Sequence, residues 1–187
     1  MSRCAVCFTR MAALACVVII VHSVSRPAQG TTVTFTKIAD TNTAIPGGTG
    51  NFTGWGTLSL GRGKAAFRAV GSDQQQGIYI FEDGTLTKFA DTNTAIPDGT
   101  GNFTNFSPVS LDGENVAFAG GGENESGIYT DLGGALRKVA DTDTAIPDGA
   151  GNFTHFGPPS LDSGTVAFLG IGNEQRGIYT EGEGTLT

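Results

Sequence analysis

The chain has 187 residues, with 11 basic and 18 acidic side chains and a formal net charge of −7. The length suggests one domain, and the acidic balance excludes nucleic acid and anionic lipid surfaces as favoured partners. All three cysteines, Cys4, Cys7 and Cys16, lie near the amino terminus. The rest of the chain therefore offers no disulfide framework, thiolate metal site or cysteine nucleophile.

The first thirty residues are typical of a signal peptide. Arg3 and Arg10 accompany an apolar run, "MAALACVVIIV" (11–21), and "AQG" (28–30) places small residues before a cleavage point at Thr31. The run is shorter than the ~20 residues that a membrane span needs. We interpret residues 1–30 as a signal peptide, or alternatively as an amino-terminal anchor. Residues 31–187 would then be secreted or extracytoplasmic, with no other membrane contact.

The remainder of the chain is a tandem repeat. Asp40, Asp91 and Asp141 are equivalent, and "GIY" recurs at 77–79, 127–129 and 177–179. Three complete repeats cover residues 37–87, 88–137 and 138–187. A fixed period of this length is the signature of a repeat architecture.

Each repeat has a β pattern. The second and third repeats contain "PVSL" (108–111), "NVAFAG" (115–120), "GIYT" (127–130) and "ALRKVAD" (135–141), which are rich in β-branched or aromatic residues. Glycine-rich and Asp-Gly turns separate them. Four short strands in about 50 residues are typical of a β-propeller blade. We predict an all-β fold of tandem four-stranded antiparallel repeats, propeller-like, with three blades.

The stretch "SLDGENVAFAGGGENESGIYTDLGGALRKVAD" (110–141) resembles blades of TolB-type, WD40-like propellers. It also resembles repeats of secreted bacterial proteins of unassigned function. Two departures stand out: proline precedes the serine (Pro108, Ser110), and "GTLSLGRGKAAF" in the first repeat lacks the Asp-Gly turn. The resemblance implies the fold. It leaves the role open, because such relatives include both protein-binding modules and peptidase-associated propellers.

Three blades are fewer than the ~4–8 of a closed propeller. One interpretation is that the sequence is a piece of a longer array. A second is that two copies assemble into six blades, with "TFTKIAD" (34–40) pairing beside the last blade. A third is an open three-blade unit.

Three related stretches, which we call the joint loops, link the blades: residues 40–53, 91–104 and 141–154. Their carboxylates and amides are of the kind that calcium prefers. The predicted calcium ligands are Asp40, Asn42, Asp91, Asn93, Asp98, Asp141, Asp143 and Asp148. The spacing is not that of an EF-hand, and Gly47 replaces the third acid in the first loop. The loops are first of all predicted to be structural joints, because Asp and Asn cap turns and Pro and Gly shape them, and calcium binding would be an addition to that role.

Catalysis has little support in this sequence. His155 is the only histidine after the leader, at a position that Gly54 and Asn105 occupy in the other repeats. No serine has a nucleophile-elbow context. We therefore predict an exported, non-catalytic scaffold or recognition surface for a protein or glycan, calcium-stabilised through the joint loops and able to form homo-oligomers. The alternative is a propeller-type hydrolase or an enzyme-accessory domain.

Overall fold

The computed structural model describes residues 33–187, so the predicted signal peptide and the three cysteines lie outside the described residues. The chain divides into two units, Met1–Phe35 and Thr36–Thr187. The second unit contains thirteen strands: β1 Phe52–Gly61, β2 Lys64–Gly71, β3 Gln76–Glu82, β4 Thr85–Asp91, β5 Asn105–Asp112, β6 Asn115–Gly121, β7 Ser126–Thr130, β8 Arg137–Asp141, β9 Phe153–Phe156, β10 Ser160–Asp162, β11 Thr165–Gly172, β12 Arg176–Gly182 and β13 Thr185–Leu186. A single 3-10 turn, Ser72–Gln74, is the one helical element in residues 33–187.

The strands form three antiparallel sheets, one for each repeat, although β4 and β8 run past the repeat boundaries after residues 87 and 137. The first sheet has the order β1-β2-β3-β4, and the second has β5-β6-β7-β8. The third has β10-β11-β12-β13, with β9 also paired to β11. The predicted all-β, propeller-like fold of three four-stranded repeats is confirmed. In the part of the chain that the structure describes, no helix is long and apolar enough to cross a membrane.

Aromatic rings fill the same place in each sheet. Phe118 lies opposite Tyr129 across β6 and β7, and its counterparts in the other sheets pair in the same way. A phenylalanine from the end of each joint loop meets the tyrosine edge-on, with ring centroids 4.8–4.9 Å apart. Edge-to-face rings attract because the ring edge is positive and the face negative. The recurring Phe and Tyr residues are therefore packing residues.

Each sheet has two apolar faces because side chains alternate along a strand. One face of the first sheet, with Ala66 and Ile78, shares a core cluster with Phe106, Val109 and Leu111 of the second sheet. We call the face with Ala66 and Ile78 the trailing face of its sheet, and the face with Phe106, Val109 and Leu111 the leading face of its sheet. The second and third sheets repeat this packing. In the first sheet, the leading face comprises Trp55, Leu58, Leu60, Ala65 and Phe67. In the third sheet, the trailing face comprises Ala167, Leu169 and Ile178.

Residues 34–40 do not form the strand that the sequence suggested. Their counterparts lie in β4 and β8, which pair with β3 and β7 respectively. No strand among residues 33–187 pairs with them. A single strand without a partner has no ladder of hydrogen bonds to hold it extended, so the local sequence alone does not produce one here.

Candidate functional site

The joint loops are three copies of one small hairpin. In the first loop, Gly48 N donates to Ile45 O at 3.1 Å, with Pro46 and Gly47 between them. Gly47 has φ 68°, and a proline followed by a positive-φ residue is typical of a type II turn. Isolated antiparallel bridges close all three hairpins at Ala44–Asn51, Ala95–Asn102 and Ala145–Asn152.

Asp98 and Asp148 occupy the turn position that Gly47 holds in the first loop. Their φ values are 54° and 53°, in the left-handed region that aspartate tolerates better than most residues. Both side chains are exposed. Glycine in the first loop and aspartate in the other two therefore meet the same requirement for a positive φ.

The first aspartate of each loop is held by hydrogen bonds from its own loop and by the lysine three residues before it. Asp91 Oδ1 accepts from Asn93 N at 3.0 Å and from Thr94 Oγ1 at 3.1 Å. Its Oδ2 lies 3.1 Å from Lys88 Nζ. Asp141 makes the same contacts, with Lys138 Nζ at 2.7 Å, as does Asp40 with Lys37. This is an aspartate-capped turn whose negative charge is balanced by the lysine three residues earlier.

The two aspartates between sheets are charged despite being buried. Burial alone would raise the pKa of Asp91, but the bonds from Lys88, Asn93 N and Thr94 outweigh it and lower the pKa below its usual 3.8. Asp141 shows the same balance, with Lys138 as its strongest favourable partner. Its carboxylate in turn raises the pKa of Lys138. These ion pairs stay formed at neutral pH.

The predicted calcium ligands are only partly brought together. Asn42, Asn93 and Asp143 reach the first aspartate of their loop through their backbone N–H groups, while their side chains are exposed. A lysine ammonium contacts the carboxylate where a bound cation would be needed. Across residues 33–187, no group of three or more His, Cys, Asp or Glu side chains is arranged to hold a metal. Calcium binding stays a prediction, and the hydrogen bonds support the structural-joint interpretation.

A polar cleft of about 680 Å³ lies where the first two repeats meet. The β2–β3 connection, the second joint loop and the β6–β7 connection contribute its lining: Gln74, Gln76, Thr92, Thr100, Gly101, Asn102, Phe103, Thr104, Glu123 and Asn124. Phe103 is fully buried, whereas Gln74, Asn102 and Asn124 are exposed. The cleft therefore presents amide and hydroxyl groups on a firmly packed base.

The cleft includes the one connection where the repeats differ in length. Between its flanking glycines, the first repeat has "SDQQQ" (72–76), whereas the others have "ENES" (123–126) and "NEQR" (173–176). The longer connection forms the 3-10 turn and holds Asp73 and Gln74 at φ 57° and 61°. The equivalent connection of the third repeat also holds a non-glycine residue in the left-handed region, Glu174 at φ 65°, so the extra residue rather than this conformation distinguishes the cleft. The extra residue was the sequence signal for this cleft, and our sequence interpretation missed it.

Hydrogen bonds join the cleft walls. Gln76 Nε2 donates to Thr104 O at 2.7 Å, and Arg68 Nη2 donates to Gln76 Oε1 at 2.9 Å. The first repeat is thereby tied directly to the second joint loop. Binding groups on walls fixed in this way lose little freedom when a ligand arrives.

His155 is exposed, with its Nδ1 3.1 Å from Thr154 Oγ1. This environment is that of a surface residue. It contains no described partner that would orient the imidazole as a general base.

Comparison with known proteins gives a family without a function. No curated protein and no solved structure matches the chain. The resemblance to TolB-type blades therefore stays an expectation. One family model matches residues 19–187, which includes all three repeats. The chain belongs to that family, DUF7453, a family of unknown function.

Proposed function

We propose that the chain is a non-catalytic recognition module in which the polar cleft between the first two repeats binds a neutral glycan. The observation that carries the proposal is the cleft itself, about 680 Å³ in volume and lined mainly by amides and hydroxyls. It lies at the one connection that departs from the repeat. A scaffold built from identical joints does not require a longer connection in one repeat, whereas a binding site at that connection does.

The lining chemistry suits sugar hydroxyls. Gln74, Asn102 and Asn124 each offer both donors and an acceptor in one planar group. A sugar hydroxyl likewise donates and accepts, so each amide can satisfy it in two ways. Glu123 adds a carboxylate to the lining, and the chain is acidic overall. These charges disfavour anionic ligands and leave a neutral glycan as the better match.

The joint loops make the surface rigid. Asp91 and Thr94 lock the start of the second loop, and Thr100 N donates to Glu125 Oε1 at 2.8 Å near its turn. A site held in its bound shape pays less conformational entropy on binding. The expected export of the chain would place this rigid surface outside the cell, where glycans are abundant targets.

Calorimetry with neutral β-glucan and chitin oligosaccharides tests the proposal. We expect heat of binding from at least one of these oligosaccharides, and amide NMR shifts confined to residues that line the cleft. Gln74→Ala and Asn124→Ala should each weaken binding by roughly tenfold, the equivalent of one lost hydrogen bond.

The matched control is Asn173→Ala, the same kind of truncation at an exposed residue in the β11–β12 connection of the third sheet. It should leave the affinity unchanged. Absence of binding to every oligosaccharide, or equal effects of all three substitutions, would contradict the assignment of the cleft.

A further inference from the structure

The leading face of the first sheet is an apolar surface whose equivalents are buried. Leu58 and Leu60 are 64% and 70% exposed, and Trp55 is 45% exposed. The same positions in the second sheet, Phe106, Val109 and Leu111, are 5–7% exposed because the first sheet covers them. Ile38 and Ala39 pack against part of this face, where Ala65 and Phe67 are 4% and 6% exposed. An apolar hollow of about 310 Å³ remains on it.

The trailing face of the third sheet has the complementary uncovered surface. Ile178 is 72% exposed, whereas Ile78 and Ile128 are fully buried at the equivalent positions. Those two isoleucines belong to the core clusters formed with the next sheet. The third sheet thus exposes an apolar trailing face, the kind of surface that the leading face of the next sheet covers in the other two cases.

Within residues 33–187, the fourth strand of the third sheet pairs with a shorter part of its neighbour than the fourth strands of the other two sheets do. In the second sheet, β8 places Asp141 and Ala140 opposite Gly127 and Ile128. In the third sheet, β13 pairs with Glu181 and Gly182 of β12, and Thr187 exchanges backbone hydrogen bonds with Thr180 at 2.8 and 2.9 Å. On the side of β12 that faces β13, no residue of 33–187 therefore pairs with Gly177–Tyr179. Residues 37–40, "KIAD", carry the matching sequence and have no strand partner of their own.

Hydrogen bonds between neighbouring sheets recur at equivalent positions of the repeats. Leu111 N donates to Ser59 Oγ at 3.0 Å, and Leu161 N donates to Ser110 Oγ at 2.9 Å. Continuing the series by one repeat would pair Leu60 N with Ser160 Oγ. Ser163 N donates to Asp112 Oδ2 at 2.7 Å, and the next contact in that series would bring Arg62 to Asp162.

We propose that the trailing face of the third sheet binds the leading face of the first sheet in a second copy of this chain. In the same contact, residues 37–40 of that copy pair with the edge at Gly177–Tyr179. The occupant is a second copy because the same interface already forms twice within the chain, between identical kinds of surface. Each copy carries one of each uncovered face, so two copies satisfy each other reciprocally.

Closure follows from this reciprocity. Head-to-tail contacts either close into a ring or continue as a filament. Two copies joined at both ends would give six sheets, within the ~4–8 of known propellers. The ring leaves no apolar end face uncovered. The inference does not depend on what the polar cleft binds.

Light scattering on the full chain over a range of concentrations tests the assembly. We expect a mass of two chains. Leu60→Asp and Ile178→Asp each place a charge in one proposed face, and each should weaken dimerisation by at least about 100-fold. Both residues are exposed in the single chain, so neither change should affect folding. Ala95→Asp, the same charge on an exposed residue of the middle repeat, is the control and should remain dimeric.

Mixing the two charged variants gives the sharper test. Leu60→Asp retains an intact trailing face and Ile178→Asp an intact leading face, so the mixture should form a two-chain species that neither variant forms alone. A monomeric wild type would overturn the proposal. So would a dimer that persists in both variants, or one that only Leu60→Asp disrupts, because the last result indicates contact between two leading faces.

A disulfide cross-link separately tests the pairing of residues 37–40 with the edge at Gly177–Tyr179. With the native cysteines replaced by serine, Ala39→Cys chains mixed with Ile178→Cys chains should form a disulfide-linked pair. Ala140 faces Ile128 directly across a strand pair, and paired strands bring Cα atoms within disulfide range. Neither variant alone should cross-link. Failure of the mixture to cross-link under oxidising conditions would overturn the strand pairing.

Discussion

Asp91 is the residue whose removal best tests the structural role of the joint loops. It is fully buried and accepts bonds from Asn93 N, Thr94 Oγ1 and Lys88 Nζ. The change Asp91→Ala removes these contacts at once, together with the 3.4 Å bond that Asp91 Oδ2 accepts from Gln75 Nε2. It leaves the Lys88 ammonium without its carboxylate at the junction of the first two sheets.

The magnitude follows from burial. Breaking a buried ion pair by removing one partner typically costs 3–5 kcal/mol, roughly, because the remaining charge is left uncompensated. Lys88 has a side chain 32% exposed, so water can partly resolvate it. We therefore expect Asp91→Ala to lower the free energy of unfolding by about 3 kcal/mol, the lower end of that range.

Urea unfolding followed by near-ultraviolet circular dichroism measures this loss. The matched control is Asp98→Gly in the same loop, which removes an exposed carboxylate and keeps a residue suited to positive φ. It should change the unfolding free energy by less than about 0.5 kcal/mol. Similar losses in the two variants would refute the reasoning, because burial and bonding would then not distinguish the aspartates.

Four further outcomes are expected. The lowered pKa of Asp141 means that its stabilising contribution is complete above pH 3.8 and is lost as the pH falls through its folded-state pKa; the acid-side decline in melting temperature should therefore be shallower in Asp141→Asn. Gly47→Asp should stay within about 0.5 kcal/mol of wild type, because aspartate is the natural residue at this left-handed position in the other loops, whereas Gly47→Val should cost more than about 1 kcal/mol in urea unfolding. Phe153→Ala should cost about 3–5 kcal/mol, since the ring is 1% exposed and meets Tyr179 edge-on at 4.8 Å. Millimolar calcium should leave the melting temperature unchanged, because a lysine already pairs with the first aspartate of each loop; a clear rise would support the calcium prediction.

The strands were predictable because their signals are local. "NVAFAG" was expected at 115–120 and β6 spans Asn115–Gly121. The Asp-Gly turn before it and the glycines after it bound the strand on both sides. Strand pairing within a repeat then follows from short connections between antiparallel neighbours. Little beyond local sequence was needed for this level of structure.

The metal prediction shows where local patterns stop being sufficient. Acidic residues at alternate positions suit a cation, and equally suit a capped turn. The lysine three residues before each aspartate was visible in the sequence. Only the folded loop shows that its ammonium contacts the carboxylate. Whether the acids at the turn point toward that carboxylate also depends on backbone geometry, which places Asp98 and Asp148 at the surface.

By itself, the sequence determined the repeat period, the β class and the turns. Only the tertiary structure decided which apolar residues are covered. Leu60 and Leu111 occupy the same position in "SL" strands, yet one is 70% exposed and the other 6%. Ile78 and Ile178 share the same "GIY" context with equally different burial. Local sequence sets the direction of a side chain, but burial depends on whether another sheet lies against it.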